Sequence, residues 1–272
     1  MNTKTRELTV LGLLISLMLV LGLVPNIGFI TLGVVSVSIV HLPVVIGTVL
    51  LGWKRGLILA FAFGVISFAR AFTPAGAADI LFTNPLISIL PRLSIGFATY
   101  GVFVFFKFLL GKLAKLLKKE SAKTVKELAI LLSIFTNIAI FYAVFFTLNS
   151  VAKIDLFISI SIGLVLAAIS HLVVYNAVLG RFENAEKTSI AFACAAGAFS
   201  NTLFTLLAFY FFVPIFFNDI LVKFNLVEGK VFIAYLMGLA GTNGILELAF
   251  FVVIGTPIIL ALRKFTQKKE II

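Results

Sequence analysis

Charged side chains are scarce in this sequence, and their scarcity excludes an ordinary soluble domain. Only 12% of the 272 residues are charged, 61% are hydrophobic, and the mean hydropathy is +1.19. A soluble domain carries about 25% charged residues. Several apolar runs exceed the ~18 residues that a membrane-spanning helix needs, and none alternates as the strands of a membrane barrel do. The composition therefore predicts an all-α, polytopic membrane protein.

The sequence also lacks the motifs of several enzyme classes. It contains no G-x-x-x-x-G-K-[ST], no H-E-x-x-H and no G-x-S-x-G, and its His, Cys and Asp residues show no metal-ligand spacing. The single cysteine, Cys194, rules out a disulfide within the chain. We therefore expect no catalysis, no metal and no cofactor. The net charge of +11 comes from short loops between apolar runs, so it does not indicate nucleic acid.

The apolar runs predict eight spans, joined by loops that include two with little charge, at residues 25–33 and 73–83. The spans cover residues 7–24, 34–51, 57–72, 84–106, 127–148, 156–180, 188–213 and 231–262, the last one interrupted by glycines at 241–244. Seventeen Lys and Arg residues lie in the termini and loops of one side, against three on the other. The positive-inside rule then places both termini in the cytoplasm. The first run lacks a cleavage site, so we interpret it as a retained span.

Two arginines and one glutamate fall within these spans. Arg70 lies near the outer end of the third span, Arg92 lies in the fourth, and Glu247 follows the glycine break in the last. An intramembrane charge costs at least a few kcal/mol and marks a functional site. If Arg92 pairs with Glu247, the charge of Arg70 remains, partly balanced by Asp79. Such a surplus positive charge would suit a ligand with a small carboxylate group. The alternative is a purely structural Arg92–Glu247 pair with Arg70 reaching the membrane interface.

Three asparagines and one histidine add neutral polar groups at the span ends. Asn84, Asn201 and Asn243 can each donate to and accept from a polar solute. Asn84 is alternatively the cap of its helix, and Asn243 lies where an unwound span would line a cavity. His41 could reach an outer cavity, although a hydrogen-bonded histidine within the bundle is the interpretation we favour.

Five short motifs resemble those of the substrate-binding S component of energy-coupling factor (ECF) vitamin transporters. Within that family they are most similar to the pantothenate-type members. They are TRELTVLG at 5–12, IVHLPVVIG at 39–47, NPLISILPR at 84–92, SNT at 200–202 and NGILE at 243–247. The resemblance covers roughly residues 5–112 and 188–264 and implies a six-helix core. Residues 1–126 would supply its first four spans and 181–272 its last two, with 127–180 as an additional, inserted two-helix hairpin.

The resemblance implies a vitamin-capture subunit of the prokaryotic plasma membrane. Such subunits bind a vitamin beneath the loops after the first and third helices. They deliver it by reorienting on a transmembrane T component that two cytoplasmic ATPases drive. Gly12 and Ser16 form a small-x-x-x-small pair, which lets another helix approach closely, and the resemblance assigns that pair to contact with the T component.

The residues and the resemblance together give a set of expected binding residues. The set is Arg92, Asn84, Asn243, Glu247, Arg70, Asn201 and His41. The arginines would bind a substrate carboxylate, and the amides would bind hydroxyl or amide groups of the same substrate. Pantothenate carries all of these groups. The alternatives are an S component for folate, riboflavin or another vitamin, and a stand-alone secondary transporter of a small organic anion. A membrane-embedded enzyme acting on lipid would need a cytoplasmic cluster of acid, base or metal-binding residues, which the sequence lacks.

Overall fold

A computed structural model describes residues 3–24, 27–32, 35–73, 77–145, 156–180, 185–223, 232–233, 236 and 244–268. Helices make up most of these residues. They are α1 (Thr3–Leu23), α2 (Leu42–Leu51), α3 (Trp53–Arg70), α4 (Pro85–Ser88), α5 (Leu90–Leu117), α6 (Ala122–Phe145), α7 (Leu156–Leu179), α8 (Ala185–Phe216), α9 (Asn218–Lys223), α10 (Ile245–Phe250) and α11 (Thr256–Lys268). A 3₁₀ helix covers Ala77–Thr83, and a π-helical turn at Phe251–Gly255 joins α10 to α11.

A β-hairpin lies between α1 and α2. Strand β1 (Phe29–Leu32) pairs antiparallel with β2 (Val35–Ser38), with Phe29 opposite Ser38. The predicted helix from residue 34 is wrong here, because α2 begins only at Leu42. The physical reason is visible in the sequence: residues 35–40 alternate Val and Ser before Ile and Val, and β-branched residues in alternation favour a strand.

The turn between α2 and α3 consists of a single residue. Gly52 separates the two helices with φ at +86°, a conformation that glycine adopts without the steric cost that a Cβ imposes. Helix α2 is therefore only 10 residues long and returns directly into α3, against which it packs. At ~1.5 Å per residue α2 covers about 15 Å, half the thickness of a bilayer core.

The chain divides into two compact units, of which the first comprises residues 1–104 and 190–272. Its apolar core joins α1, α2, α3, α5 and α8 with Phe251 of the π turn and Ile259 of α11. Three fully buried side chains, Met18, Val44 and Leu59, show how α1, α2 and α3 meet in this core. A second apolar cluster contains Ile87 of α4 and Phe209 of α8.

The second unit comprises residues 105–189. Helices α6 and α7 pack against each other along their length, and Leu117, Val125, Ala129 and Val178 form a small buried cluster. Asn137 and His171 hydrogen bond across these two helices at 3.2 Å between Nδ2 and Nδ1, and the His171 ring stacks on Tyr175. The inserted hairpin expected at 127–180 falls within this unit.

Three helical stretches of the described chain are long and apolar enough to cross a membrane. They are Lys4–Leu23, Pro85–Leu117 and Ala185–Phe216. Shorter apolar helices occur at Leu42–Leu51 and Ser159–Ala168. Of the predicted glycine break at 241–244, only Gly244 lies within the described residues.

Candidate functional site

Arg92 is buried in the first unit, with 6% of its surface exposed. Its Nη1 donates to Thr205 Oγ1 at 3.0 Å and to the carbonyl oxygen of Ile87 at 3.3 Å, and its Nη2 donates to Ser67 Oγ at 3.4 Å. The guanidinium is therefore held between α3, α4 and α8 by neutral oxygens. A charge placed so deeply with neutral partners needs a functional explanation.

Aromatic rings complete the surroundings of Arg92. Its guanidinium carbon lies 4.6 Å from the centroid of Phe82 and 5.5 Å from that of Phe63. Such cation–π contacts stabilise a cation when water is excluded. Phe63 also lies 6.0 Å from the His41 ring, so it connects the guanidinium to the imidazole.

His41 is fully buried just before α2 and stacks on Phe251 of the π turn, with ring centroids 4.1 Å apart. Neither imidazole nitrogen has a hydrogen-bond partner in the described part of the chain. The hydrogen-bonded histidine that we favoured from the sequence is therefore not what the described residues show. A neutral imidazole has one donor and one acceptor to offer, so His41 brings unused hydrogen-bonding capacity to this region.

Glu247 of α10 is the third buried polar residue, with 6% of its surface exposed. Its Oε1 accepts from the backbone N–H of Ser38 at 3.1 Å, and its Oε2 accepts from Thr202 Oγ1 at 3.5 Å. The Asn201 side chain also donates to this carboxylate. Glu247 thus joins the end of β2 to α8 and α10.

Arg92 and Glu247 interact electrostatically but are not in contact. Neither residue has an oppositely charged side chain within 4 Å among the described residues, in contrast to Arg55 and Glu7, which form an ion pair near the start of α3 and of α1. The opposite charges of Arg92 and Glu247 are thus held apart, each by neutral partners. Two further buried polar atoms, Arg92 Nε and Asn201 Oδ1, have no hydrogen-bond partner in the described chain. Together with the two nitrogens of His41 they leave buried hydrogen-bonding capacity unused among the described residues.

The other predicted residues lie in different settings. Asn84 is half-buried and caps α4, its Oδ1 accepting from the backbone N–H of Leu86 at 2.9 Å, as the alternative interpretation predicts. Arg70 is half-buried in the last turn of α3, one turn beyond Ser67. Asn243 lies outside the described residues. Among the described residues no group of His, Cys, Asp and Glu is arranged to hold a metal ion.

Gly12 and Ser16 lie on the exposed face of α1, one turn apart. The opposite face carries Leu11, Leu14 and Met18 into the core. A Cβ added at Gly12 would meet no atom within 4 Å, so this face of α1 has open space in front of it.

Several contacts of the site were not predicted from the sequence. They are the hydroxyl groups of Ser67, Thr202 and Thr205, the aromatic rings of Phe63, Phe82 and Phe251, and the backbone N–H of Ser38. Thr202 and Thr205 follow Asn201 within one turn of an apolar helix, and this polar group was a usable signal. The three phenylalanines gave no such signal, because the chain contains 30 phenylalanines and nothing in the sequence distinguishes these three.

Comparison with known proteins identifies similar sequences. The profile of the family described as ECF transporter, substrate-specific component, matches residues 6–259. The pantothenate transporter PanT of Leuconostoc mesenteroides is 31% identical over 100 residues, which are 35% of this chain and 49% of that protein. The pantothenic acid transporter PanT of Lactococcus lactis subsp. cremoris is 28% identical over 123 residues, 38% of this chain and 60% of that protein. The chain spans about half to three fifths of the length of these curated relatives.

Proposed function

We propose, because this chain belongs to the ECF transporter substrate-specific component family, that it captures a small anionic vitamin, pantothenate or a close analogue, for uptake across the plasma membrane. The family is a transporter component and not an enzyme class, and its members are multi-pass membrane proteins. The names of both relatives support pantothenate as the substrate.

The observation that carries this proposal is the buried Arg92 guanidinium with its neutral partners. Because no carboxylate of the described chain lies in contact with it, its charge can meet the carboxylate of a substrate. Nη1 and Nη2 are already held by protein oxygens, which orients the group, and Nε has a hydrogen to offer. Charge-assisted hydrogen bonds of this kind are about twice as strong as neutral ones.

The neutral groups around Arg92 suit the rest of a pantothenate molecule. Its hydroxyl and amide groups need donors and acceptors, and His41 and Asn201 have them unused among the described residues. In this proposal the Asn84 amide, Arg70 and Asn243 complete the set of polar groups, and Phe63 and Phe82 face the apolar part of the ligand. Burial of Arg92, His41 and Asn201 away from water favours a ligand that satisfies their hydrogen-bonding groups and disfavours one that leaves any of them unpaired.

The membrane arrangement is also part of the proposal. The apolar runs predict eight spans, the distribution of Lys and Arg would place both termini in the cytoplasm, and the site would then open to the outside. Six of the spans, drawn from residues 1–126 and 181–272, would form the binding core, and the hairpin at 127–180 would be additional to it. The exposed face of α1 with Gly12 and Ser16 would dock on a transmembrane T component, and two cytoplasmic ATPases would supply energy.

Uptake by reconstituted vesicles tests this function. Vesicles containing the chain together with a T component and its ATPases should accumulate labelled pantothenate only when ATP is inside. Vesicles containing the chain alone should bind the vitamin without accumulating it. Accumulation by the chain alone would contradict the proposal and indicate a stand-alone secondary transporter.

A further inference from the structure

The N–H group of Ser38 points away from the hairpin to which Ser38 belongs. In the β1–β2 pair, the N–H of Ile39 donates to the carbonyl oxygen of Gly28 at 2.9 Å. Hydrogen-bonding residues alternate along an antiparallel strand, so the neighbouring Ser38 directs its N–H outward. An outward N–H on a two-stranded hairpin needs an acceptor from elsewhere. Glu247 Oε1 is that acceptor, at 3.1 Å.

Both oxygens of the Glu247 carboxylate accept hydrogen bonds from other residues of the protein. Besides Ser38, Thr202 and Asn201 of α8 donate to it, and the side chain itself belongs to α10. One buried carboxylate thus connects the hairpin to two helices that are far from it in sequence. An oxygen atom that accepts from backbone and side-chain donors in a buried place is held in a fixed position, because breaking any of these bonds leaves a polar group unsatisfied.

The point of attachment is next to the candidate site. Ser38 lies three residues before His41, and Glu247 lies one turn before Phe251, whose ring stacks on His41. Movement of the hairpin end away from α10 would therefore take place close to His41.

We propose that Glu247 is a positioning residue that holds the β1–β2 hairpin against the binding site and so slows substrate release, rather than a group that contacts the substrate. This inference rests on the proposed function for the presence of a substrate, but the attachment itself exists without one. It changes the role expected for Glu247 from the sequence. It also assigns retention of the ligand to a hydrogen bond between a side chain and the backbone.

Hydrogen–deuterium exchange of the unliganded protein tests the attachment. In Glu247→Ala the Ser38 amide should exchange at least 10-fold faster than in the wild type, whereas amides of α2 should be unchanged. Glu247→Gln keeps one acceptor oxygen and should stay close to the wild type. Thr202→Val removes a different donor from the same carboxylate and serves as the matched control, with Ser38 protection retained.

Rate constants for pantothenate then test the consequence. Glu247→Ala should release the ligand at least 10-fold faster with little change in the association rate, and Glu247→Gln should restore slow release. Faster release in Glu247→Ala with unchanged Ser38 exchange would overturn the inference, because it would make Glu247 a direct contact. Unchanged release would overturn it as well. Failure of the wild type to bind pantothenate would instead count against the proposed function, and the exchange of Ser38 would still test the attachment.

Discussion

The Nη1 atom of Arg92 donates to the hydroxyl of Thr205 at 3.0 Å and so connects α5 to α8 across 113 residues of sequence. The same guanidinium reaches Ser67 of α3 through Nη2. Three helices therefore fix its orientation, and the two aromatic rings of Phe63 and Phe82 limit where it can move. A guanidinium held in this way is ready to bind a carboxylate without first being ordered.

Replacing Arg92 by lysine keeps the positive charge and removes the planar guanidinium group with its several N–H donors. An ammonium cannot bond Thr205, Ile87 and Ser67 together while also offering a hydrogen to a ligand. We expect Arg92→Lys to weaken pantothenate binding at least 10-fold, or about 1.4 kcal/mol. Calorimetric titration of the purified variant measures this change. Arg55→Lys, in the ion pair with Glu7, is the matched control and should bind normally.

His41→Phe separates packing from recognition. A phenylalanine ring preserves the stack on Phe251 and removes two buried nitrogens that have no partner in the described chain. Since an unsatisfied buried polar atom costs about 1–3 kcal/mol, the variant should unfold at a higher temperature than the wild type. Its affinity for pantothenate should fall, because the substrate loses a donor or acceptor. A variant that is more stable and still binds at full strength would remove His41 from the site.

Gly64 sets the distance between α3 and the start of the Arg92 segment. A Cβ at this position would lie 2.8 Å from the Cα of Ile89, and Ser88 Oγ donates to the Gly64 carbonyl oxygen at 3.1 Å. Gly64→Ala should therefore lower the free energy of unfolding by about 1–3 kcal/mol through overpacking. Gly101→Ala in α5, where a Cβ meets nothing within 4 Å, is the control. Thermal unfolding in detergent compares the two, and equal melting temperatures would contradict the close packing.

Gly12→Phe tests the proposed docking face of α1. The space in front of Gly12 accepts the ring, so folding and pantothenate binding should be unchanged. Uptake in vesicles with the partner proteins should fall at least 10-fold, because a bulky ring prevents close approach of a helix. Leu13→Phe, at a neighbouring exposed position, should transport normally. Normal uptake by Gly12→Phe would exclude this face from the docking contact.

The family and the helical class could be predicted from the sequence because both depend on local or compositional signals. Low charge and long apolar runs indicate a membrane protein, and the profile match over residues 6–259 confirms the family resemblance drawn from five motifs. The β1–β2 hairpin was missed because the run at 35–40 is apolar enough to pass for the start of a span. In a membrane protein, hydropathy and strand propensity select the same β-branched residues, so hydropathy alone could not separate them.

The presence of two buried charges was predictable from the sequence and their contacts were not, and their role in binding a substrate stays a prediction. A lone arginine or glutamate in an apolar helix is conspicuous, and the structure buries both Arg92 and Glu247 in one unit. Their separation was not predictable, because it depends on Thr205, Ser67 and Thr202 accepting or donating across helices. The roles of these residues follow from tertiary packing, which single-sequence patterns do not encode.

Calorimetric titration of the detergent-purified chain with pantothenate tests the central claim most directly. We expect one molecule bound per chain with a Kd below ~1 µM, about −8 kcal/mol, and a clear loss of affinity in Arg92→Lys. No binding of pantothenate, or binding that Arg92→Lys leaves unchanged, would contradict the proposed recognition of a carboxylate by Arg92.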